Sequence, residues 1–387
     1  MPQFNNTEIA FRYRSDKDLK LAHFLFRSMN SPTLTKMGIA ATRFAIKTHL
    51  PIDGLVKRTI FKQFCGGENM TEAGQTADAI GKYKVGVILD YGVEGKENEE
   101  EFDKATLEFV KAIKFAASRK NIPFVSLKVT GFARFALMEK INSGEPLTET
   151  EKLEWQRVHN RIDTVCTAAF EHKIMMLIDA EETWIVEPVN ELCERMMEKF
   201  NKQKAYIFNT YQLYCHGTLP YLNEATEKAA AKGYILGSKL VRGAYMEKER
   251  ARAAEKGYPD PIQPDKQATD NDYDAAVIYC LQNLGKLALF IGTHNEKSCQ
   301  DAVKYMEAKG IKPNNPYVFF SQLYGMGDNL SFNLADDGYN VSKYLPYGPV
   351  MDVVPYLMRR AEENTSVAGQ TSRELSLITA EIKRRHG

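Results

Sequence analysis

Eight short runs of apolar and β-branched residues recur along the chain, most of them separated by longer stretches with helical periodicity. The runs cover residues 85–91, 124–130, 174–179, 205–211, 235–241, 287–293, 317–323 and 341–345. Helical stretches between them include 99–118, 148–170, 184–200, 221–232, 273–284 and 296–309, whereas 328–338 has room for only a short helix. Strands that alternate with helices pair in parallel, because each helix carries the chain back to the starting edge of the sheet. Eight such strands favour a closed barrel over an open, doubly wound sheet, and residues 83–365 suit a barrel of roughly 250 residues with insertions. No Gly-x-Gly-x-x-Gly follows any of the runs, so the dinucleotide fingerprint of the open fold is absent. The expected class is α/β, a (β/α)8 barrel.

An α-helical arm is expected ahead of it. Between residues 17 and 29, Leu19, Ala22, Phe26 and Met29 recur at three- and four-residue steps. Gly66-Gly67 and Asn69 break the pattern before a further helical stretch, 71–82. The expected organisation is an arm at 1–82, a barrel at 83–365 and a tail at 366–387. With 51 Lys and Arg against 50 Asp and Glu, no basic excess exists to draw nucleic acid. The six cysteines form no Cys-x-x-Cys pair and read as buried free thiols of a reducing compartment. No histidine or cysteine spacing suits a metal, so none is expected. No apolar stretch reaches the roughly 18 residues of a membrane span. Residues 1–20 carry Glu8, Asp16 and Asp18 and no apolar h-region, unlike a secretory signal. A cytoplasmic protein is expected, with peripheral contact at the inner face of the cell membrane left open.

Barrels of this kind carry their chemistry at the C-terminal ends of the strands. Here those ends hold Lys128, Asp179, Tyr211-Gln212, Lys239, Arg242, Thr293-His294-Asn295, Gln322-Leu323 and Tyr344. Each has a plain alternative: a surface lysine, a rim carboxylate, or Asn295 capping the next helix. Strand alternation puts Lys239, Val241, Gly243 and Tyr245 on one face and Arg242 on the other. One of the two cations therefore points at the barrel axis, and the sequence leaves open which.

The last long helix is expected to start near Pro349 and run through Glu363. Val350, Val353, Val354, Leu357 and Ala361 make an apolar stripe expected to pack on the barrel. Tyr356, Arg359, Arg360 and Glu363 share a second face at i, i+3, i+4, i+7 spacing. Alone, that face reads as a solvated ion-pair surface. It follows Tyr344-Leu345-Pro346-Tyr347-Gly348-Pro349, a turn stiffened by two prolines at the barrel mouth. There the adjacent guanidiniums suit a small carboxylate, at about 1.5–3 kcal/mol per charge-assisted hydrogen bond.

Phe64-Cys65-Gly66-Gly67-Glu68, Ile178-Asp179-Ala180-Glu181, Lys239-Leu240-Val241-Arg242-Gly243-Ala244-Tyr245, Thr293-His294-Asn295 and Gln322-Leu323-Tyr324-Gly325-Met326 resemble proline dehydrogenases. So do Tyr344 through Met351 and Tyr356 through Asn364, and the resemblance is closest to the monofunctional, eukaryotic-type branch. The resemblance implies a distorted (β/α)8 TIM-like barrel that binds FAD and oxidises L-proline to Δ1-pyrroline-5-carboxylate. Electrons would pass to a membrane quinone, and a eukaryotic member would be mitochondrial. It also implies that Arg359, Arg360 and Lys128 hold the proline carboxylate, that Tyr245, Leu323, Tyr344 and Tyr356 wall the ring, and that Asp179 orders the pocket around Lys128. Gln212, Lys239, Val241, Gly243, Ala244, Tyr245, Thr293, His294, Asn295, Gln322 and Glu363 would contact FAD. In bifunctional bacterial members an arginine stands where Lys239 falls, and lysine keeps the charge but loses the planar fork. Tyr344 would exclude 4-hydroxyproline, and Glu94 would pair with Arg359 or Arg360 to close a lid. Three other readings remain: a hydroxyproline dehydrogenase, a Schiff-base aldolase barrel using Lys128 or Lys239, and a non-catalytic amino-acid sensor.

Overall fold

Residues 1–48, 52–92, 97–366 and 370–387 are described by the structure, a computed structural model. Among the described residues the chain opens with six helices: α1 (Thr7–Phe11), α2 (Asp16–Met29), α3 (Pro32–Lys47), α4 (Asp53–Val56), α5 (Lys62–Phe64) and α6 (Met70–Gly81), with a π-helical stretch at Lys57–Phe61. Local chemistry fixes their starts. Ser15 and Asn69 accept from the third amides of α2 and α6, so donors with no partner inside the helix are satisfied. The four apolar positions expected along α2 are the four that it buries.

Eight parallel strands then close into a barrel in chain order: β1 (Gly86–Tyr91), β2 (Phe124–Lys128), β3 (Met175–Asp179), β4 (Ile207–Gln212), β5 (Leu236–Val241), β6 (Leu287–Gly292), β7 (Val318–Leu323) and β8 (Val341–Tyr347). Each coincides with one expected run, and no end moves by more than two residues. The connecting helices are α7 (Glu99–Ala117), α8 (Phe135–Asn142), α9 (Glu149–Glu171), α10 (Val186–Phe200), α11 (Thr218–Ala231), α12 (Met246–Lys256), α13 (Lys266–Gln282), α14 (Glu296–Ala308) and α15 (Asp328–Asp336). The sequence reading assigned no helix to α8 or α12. In α12 only Glu249 and Ala253 are buried, so its sequence carries no apolar stripe to read. Two further helices, α16 (Val350–Ser366) and α17 (Gln370–His386), end the chain.

By its contacts the chain divides into two compact units, residues 93–320 and residues 1–92 with 321–387. Within the first, Phe124, Phe208, Phe290 and Phe319 fill the space between strands, with centroids 5.1 Å apart for Phe124–Phe290 and for Phe124–Phe319. Phe208 joins both Phe290 and Phe319 at 6.4 Å. Inward rings of this kind make a barrel a packed core and leave the strand ends for chemistry.

Within the second unit, one apolar cluster gathers Phe11, Leu19, Phe26, Phe61, Phe64, Val350, Val353, Leu357, Ala361, Leu377 and Ile378. This corrects the expectation for α16. Its stripe is buried, but against the arm and α17, where the reading had placed barrel strands. An apolar stripe records that a face is covered; it carries no information about what covers it.

Candidate active site

In residues 93–320, the ends of β2 to β6 place the candidate polar groups. Lys128 and Asp179 are direct neighbours across β2 and β3. Asp179 forms an ion pair with Lys239 of β5, and both side chains are buried. Since β4 lies between β3 and β5, the two meet by pointing inward from non-adjacent strands. Arg242 points the other way. It donates to Asp270 of α13 at 2.6 Å, Thr293 at 2.8 Å and Ser298 of α14 at 3.0 Å, and lies 4.2 Å over the Tyr273 ring. The choice the sequence left open is thereby made: Lys239 faces the axis, and Arg242 joins the strand end to its outer helices.

Gln212, at the end of β4, pairs in register with Val241 and donates 2.7 Å to the Glu181 carbonyl. Glu181 itself accepts from the Thr130 hydroxyl at 2.8 Å. Thr293 is buried between Arg242 and the Asn295 amide, which donates to its hydroxyl at 3.1 Å. Asn295 caps α14, accepting from Ser298 at 3.2 Å, and His294 beside it is half-buried. After β5 the chain turns at Gly243 with φ +141°, and a Cβ there would come within 2.5 Å of the Tyr214 ring. Glycine is required twice over, by backbone angle and by space. Ala244 is exposed and Tyr245 half-buried at the start of α12.

In the other unit, Gln322 is buried and accepts from Ser331 at 2.6 Å. Leu323, Tyr344 and Arg359 are half-buried. Tyr356 and Arg360 are 9% and 8% exposed, so this face of α16 is not the solvated surface its spacing allows. The Arg360 guanidinium lies 5.2 Å over the Tyr356 ring, a cation–π contact. Glu94 and the Glu363 side chain lie outside the described residues.

Several partners escaped the sequence reading. Asp270 and Ser298, which fix Arg242, sit in helical polar positions indistinguishable from solvated ones. Glu249 is fully buried and accepts from the Thr183 amide and hydroxyl at 2.7 and 2.6 Å, tying α12 to the β3–α10 loop. The six cysteines are buried and free, as expected. Burial pushes Cys215, Cys280 and Cys299 up to about 12, so these thiols stay protonated and offer no nucleophile.

A family model described as proline dehydrogenase matches residues 73–373. The mitochondrial proline dehydrogenase 1 of Homo sapiens is 43% identical over 248 residues, covering 62% of this chain and 41% of that protein. A hydroxyproline dehydrogenase of Xenopus laevis is 29% identical over 414 residues, covering 97% of this chain and 89% of that protein. Among solved structures, proline utilization A from Bdellovibrio bacteriovorus has a TM-score of 0.75 at 20% identity, covering 96% of this chain and 40% of that one. The chain thus spans about two fifths of the human relative's length. The structural likeness is one of fold.

Proposed function

The chain belongs to the proline dehydrogenase family, and from that premise we propose that it oxidises L-proline to Δ1-pyrroline-5-carboxylate with FAD bound at the open end of the barrel. The observation that carries this reading is the burial of Arg360 against Tyr356, on the helix face that also holds Arg359. A buried guanidinium with a half-buried one beside it suits a carboxylate ligand, which planar forks bind in two-pronged fashion.

The donor set fits a flavin dinucleotide. Such a cofactor needs cations and N–H or O–H donors for its ring and phosphates, and backbone that it can approach closely. Lys239, Gln212, Thr293 and His294 would supply the first, and the exposed turn Gly243-Ala244 the second. When bound, FAD would accept the hydride that leaves proline C5. Arg359 and Arg360, with Lys128, would clamp the proline carboxylate and so orient C5, which is worth several kcal/mol of barrier. Tyr344, Leu323, Tyr356 and Tyr245 would pack the ring and exclude water. Lys239, ion-paired with Asp179, would supply positive charge where negative charge accumulates. The same pairing argues against an aldolase, because it ties up the amine that would have to attack the carbonyl.

Electrons would pass to a quinone, and the arm offers a surface for the membrane that carries it. Residues 20–58 hold seven Lys and Arg against Asp53 alone. Phe24, Leu34, Met37, Phe44 and Leu55 in the same stretch are exposed. Basic and apolar side chains on one short helical arm suit an anionic lipid interface. Among the described residues no helix is long and apolar enough to cross a membrane.

Mixing purified protein with L-proline without oxygen tests the reading: the flavin absorbance should bleach. A colourless protein, or a yellow one that proline leaves unbleached, would overturn it. Hydroxyproline oxidation is the second reading, favoured by the near full-length match to the frog enzyme. Equal kcat/KM for trans-4-hydroxyproline and proline would select it and remove the excluding role given to Tyr344.

A further inference from the structure

Gln322 and Leu323 leave β7 at the start of a loop, Tyr324 to Gly327, whose backbone is gripped from several sides. Lys343 of β8 donates to the carbonyl of Leu323 at 3.3 Å and to that of Met326. Gln63 of α5 donates to the Gly325 carbonyl at 2.6 Å. The Gly327 amide donates to Glu374 of α17 at 2.5 Å. Asp328, which opens α15, accepts from Tyr13 and Arg14 at 2.9 Å each and pairs with Lys343 at 2.8 Å. Arg14 in turn donates to Gln63 at 3.0 Å. A Cβ on Gly325, where φ is +83°, would come within 2.0 Å of the Gln63 carbonyl oxygen, so arm and loop are in direct backbone contact.

The charged members of the cluster are buried, with Lys343 at 0%, Asp328 at 1% and Glu374 at 6% exposure. Buried ionic groups contribute little net stability compared with apolar packing of the same volume. What they supply is fixed geometry. Tyr13, Arg14, Gln63 and Glu374 also lie outside the residues 73–373 matched by the family model, while the loop they hold lies inside. The arm and the last helix of this chain therefore add to the grip that Lys343 and Asp328 supply from within that span.

We propose that Lys343, Asp328, Gln63 and Glu374 are positioning residues: they fix the Tyr324–Gly327 loop, and through it Leu323 and Gln322, so that the arm and α17 set substrate affinity without touching substrate. The roles of Leu323 and Gln322 rest on the reading above; the grip itself does not. Glu374 faces Asp328 on α15, Lys343 on β8 and Arg14 of the arm, with the half-buried Tyr13 and Tyr324 beside them. Burial, with Asp328 adding to it, pushes the Glu374 carboxyl up to about 7 against the pull of the Gly327 amide, Lys343 and Arg14. One grip on the loop thus changes charge near neutral pH.

The test uses the full flavin-loaded chain with two variants, Glu374→Gln and Gln63→Ala. Steady-state proline kinetics from pH 6 to 8 are paired with hydrogen exchange of the loop amides. The wild type should show a step in proline KM near pH 7, which Glu374→Gln, close to isosteric, abolishes. Gln63→Ala should keep the step, speed exchange of the loop amides, and raise KM about fivefold with kcat within about twofold, the effect of one hydrogen bond. If both variants match the wild type in KM, step and exchange, the proposal falls. It falls equally if exchange quickens while KM and its step stay unchanged. If the wild type does not oxidise proline, yet Gln63→Ala still quickens loop exchange, the grip stands and the catalytic reading fails.

Discussion

The ion pair between Asp179 and Lys239 can be tested by a double-mutant cycle, with Asp179→Asn and Lys239→Met made singly and together. Both groups are under a tenth exposed, at 8% and 7%, so water cannot take the place of a lost partner. Removing one partner takes from the other its ion-pair countercharge, which for a buried pair costs about 3–5 kcal/mol. Because the pair lies toward the open end of the strands, the lower half of that range is expected. Removing both leaves two neutral groups of similar volume, which is close to neutral by the same reasoning. The singles should therefore sum to roughly 6–8 kcal/mol while the double loses no more than about 2, a coupling of at least about 4 kcal/mol. Urea denaturation of the flavin-free proteins at pH 7 reads this directly, provided the slopes agree among variants. Additivity within about 0.5 kcal/mol would refute the reasoning, because it would mean that the charges do not depend on each other. The double variant should regain the fold without regaining tight flavin binding, since the cation at the strand end is gone.

Gly243→Ala should weaken flavin retention and destabilise the chain by roughly 1–3 kcal/mol, because φ +141° is closed to alanine and its Cβ would meet Tyr214; absorbance of the purified protein and its melting point check both. Arg360→Lys keeps the charge but loses the planar contact with Tyr356, and should lower kcat/KM for proline by about 10- to 100-fold, as expected of a lost charge-assisted hydrogen bond. An unchanged kcat/KM would remove Arg360 from the clamp. The carboxyl of Glu374 titrates at about 7 in the folded chain against 4.5 for an ordinary glutamate. Between those values the folded protein holds a proton that the unfolded chain has released. Stability from this group therefore falls as pH rises through that window, by at most roughly 3 kcal/mol, and is level above it. Denaturation midpoints from pH 4.5 to 8 should show the fall in the wild type and a flatter profile in Glu374→Gln.

Local signals were strong where a single element decides its own fate. Thr148 opens α9 with a full capping box, and Asn98 and Asn295 cap α7 and α14. Each of these starts lies within one residue of its expected position. Signals failed where burial was scarce or the cap lay far from the stripe. Helix α12 is charged along its length, and α13 begins at Lys266, capped by Asp265, well before residue 273, where apolar periodicity became visible. The candidate residues themselves were legible as polar groups at strand ends. Their pairings were not: the ion pair of Asp179 with Lys239 joins residues 60 positions apart.

The sequence alone determined that eight strands alternate with helices, because pleat and helix periods act over two to four residues and leave their mark in the order of side chains. It also determined the family, through ordered motifs at the strand ends. Tertiary structure decided which cation of β5 faces the axis, since a strand's two faces are equivalent until a core covers one of them. It decided that α16 lays its stripe on the arm, and that Arg14 meets Asp328 across 314 residues of chain. Contacts at such separations depend on where whole elements come to rest, and no local pattern of side chains encodes that.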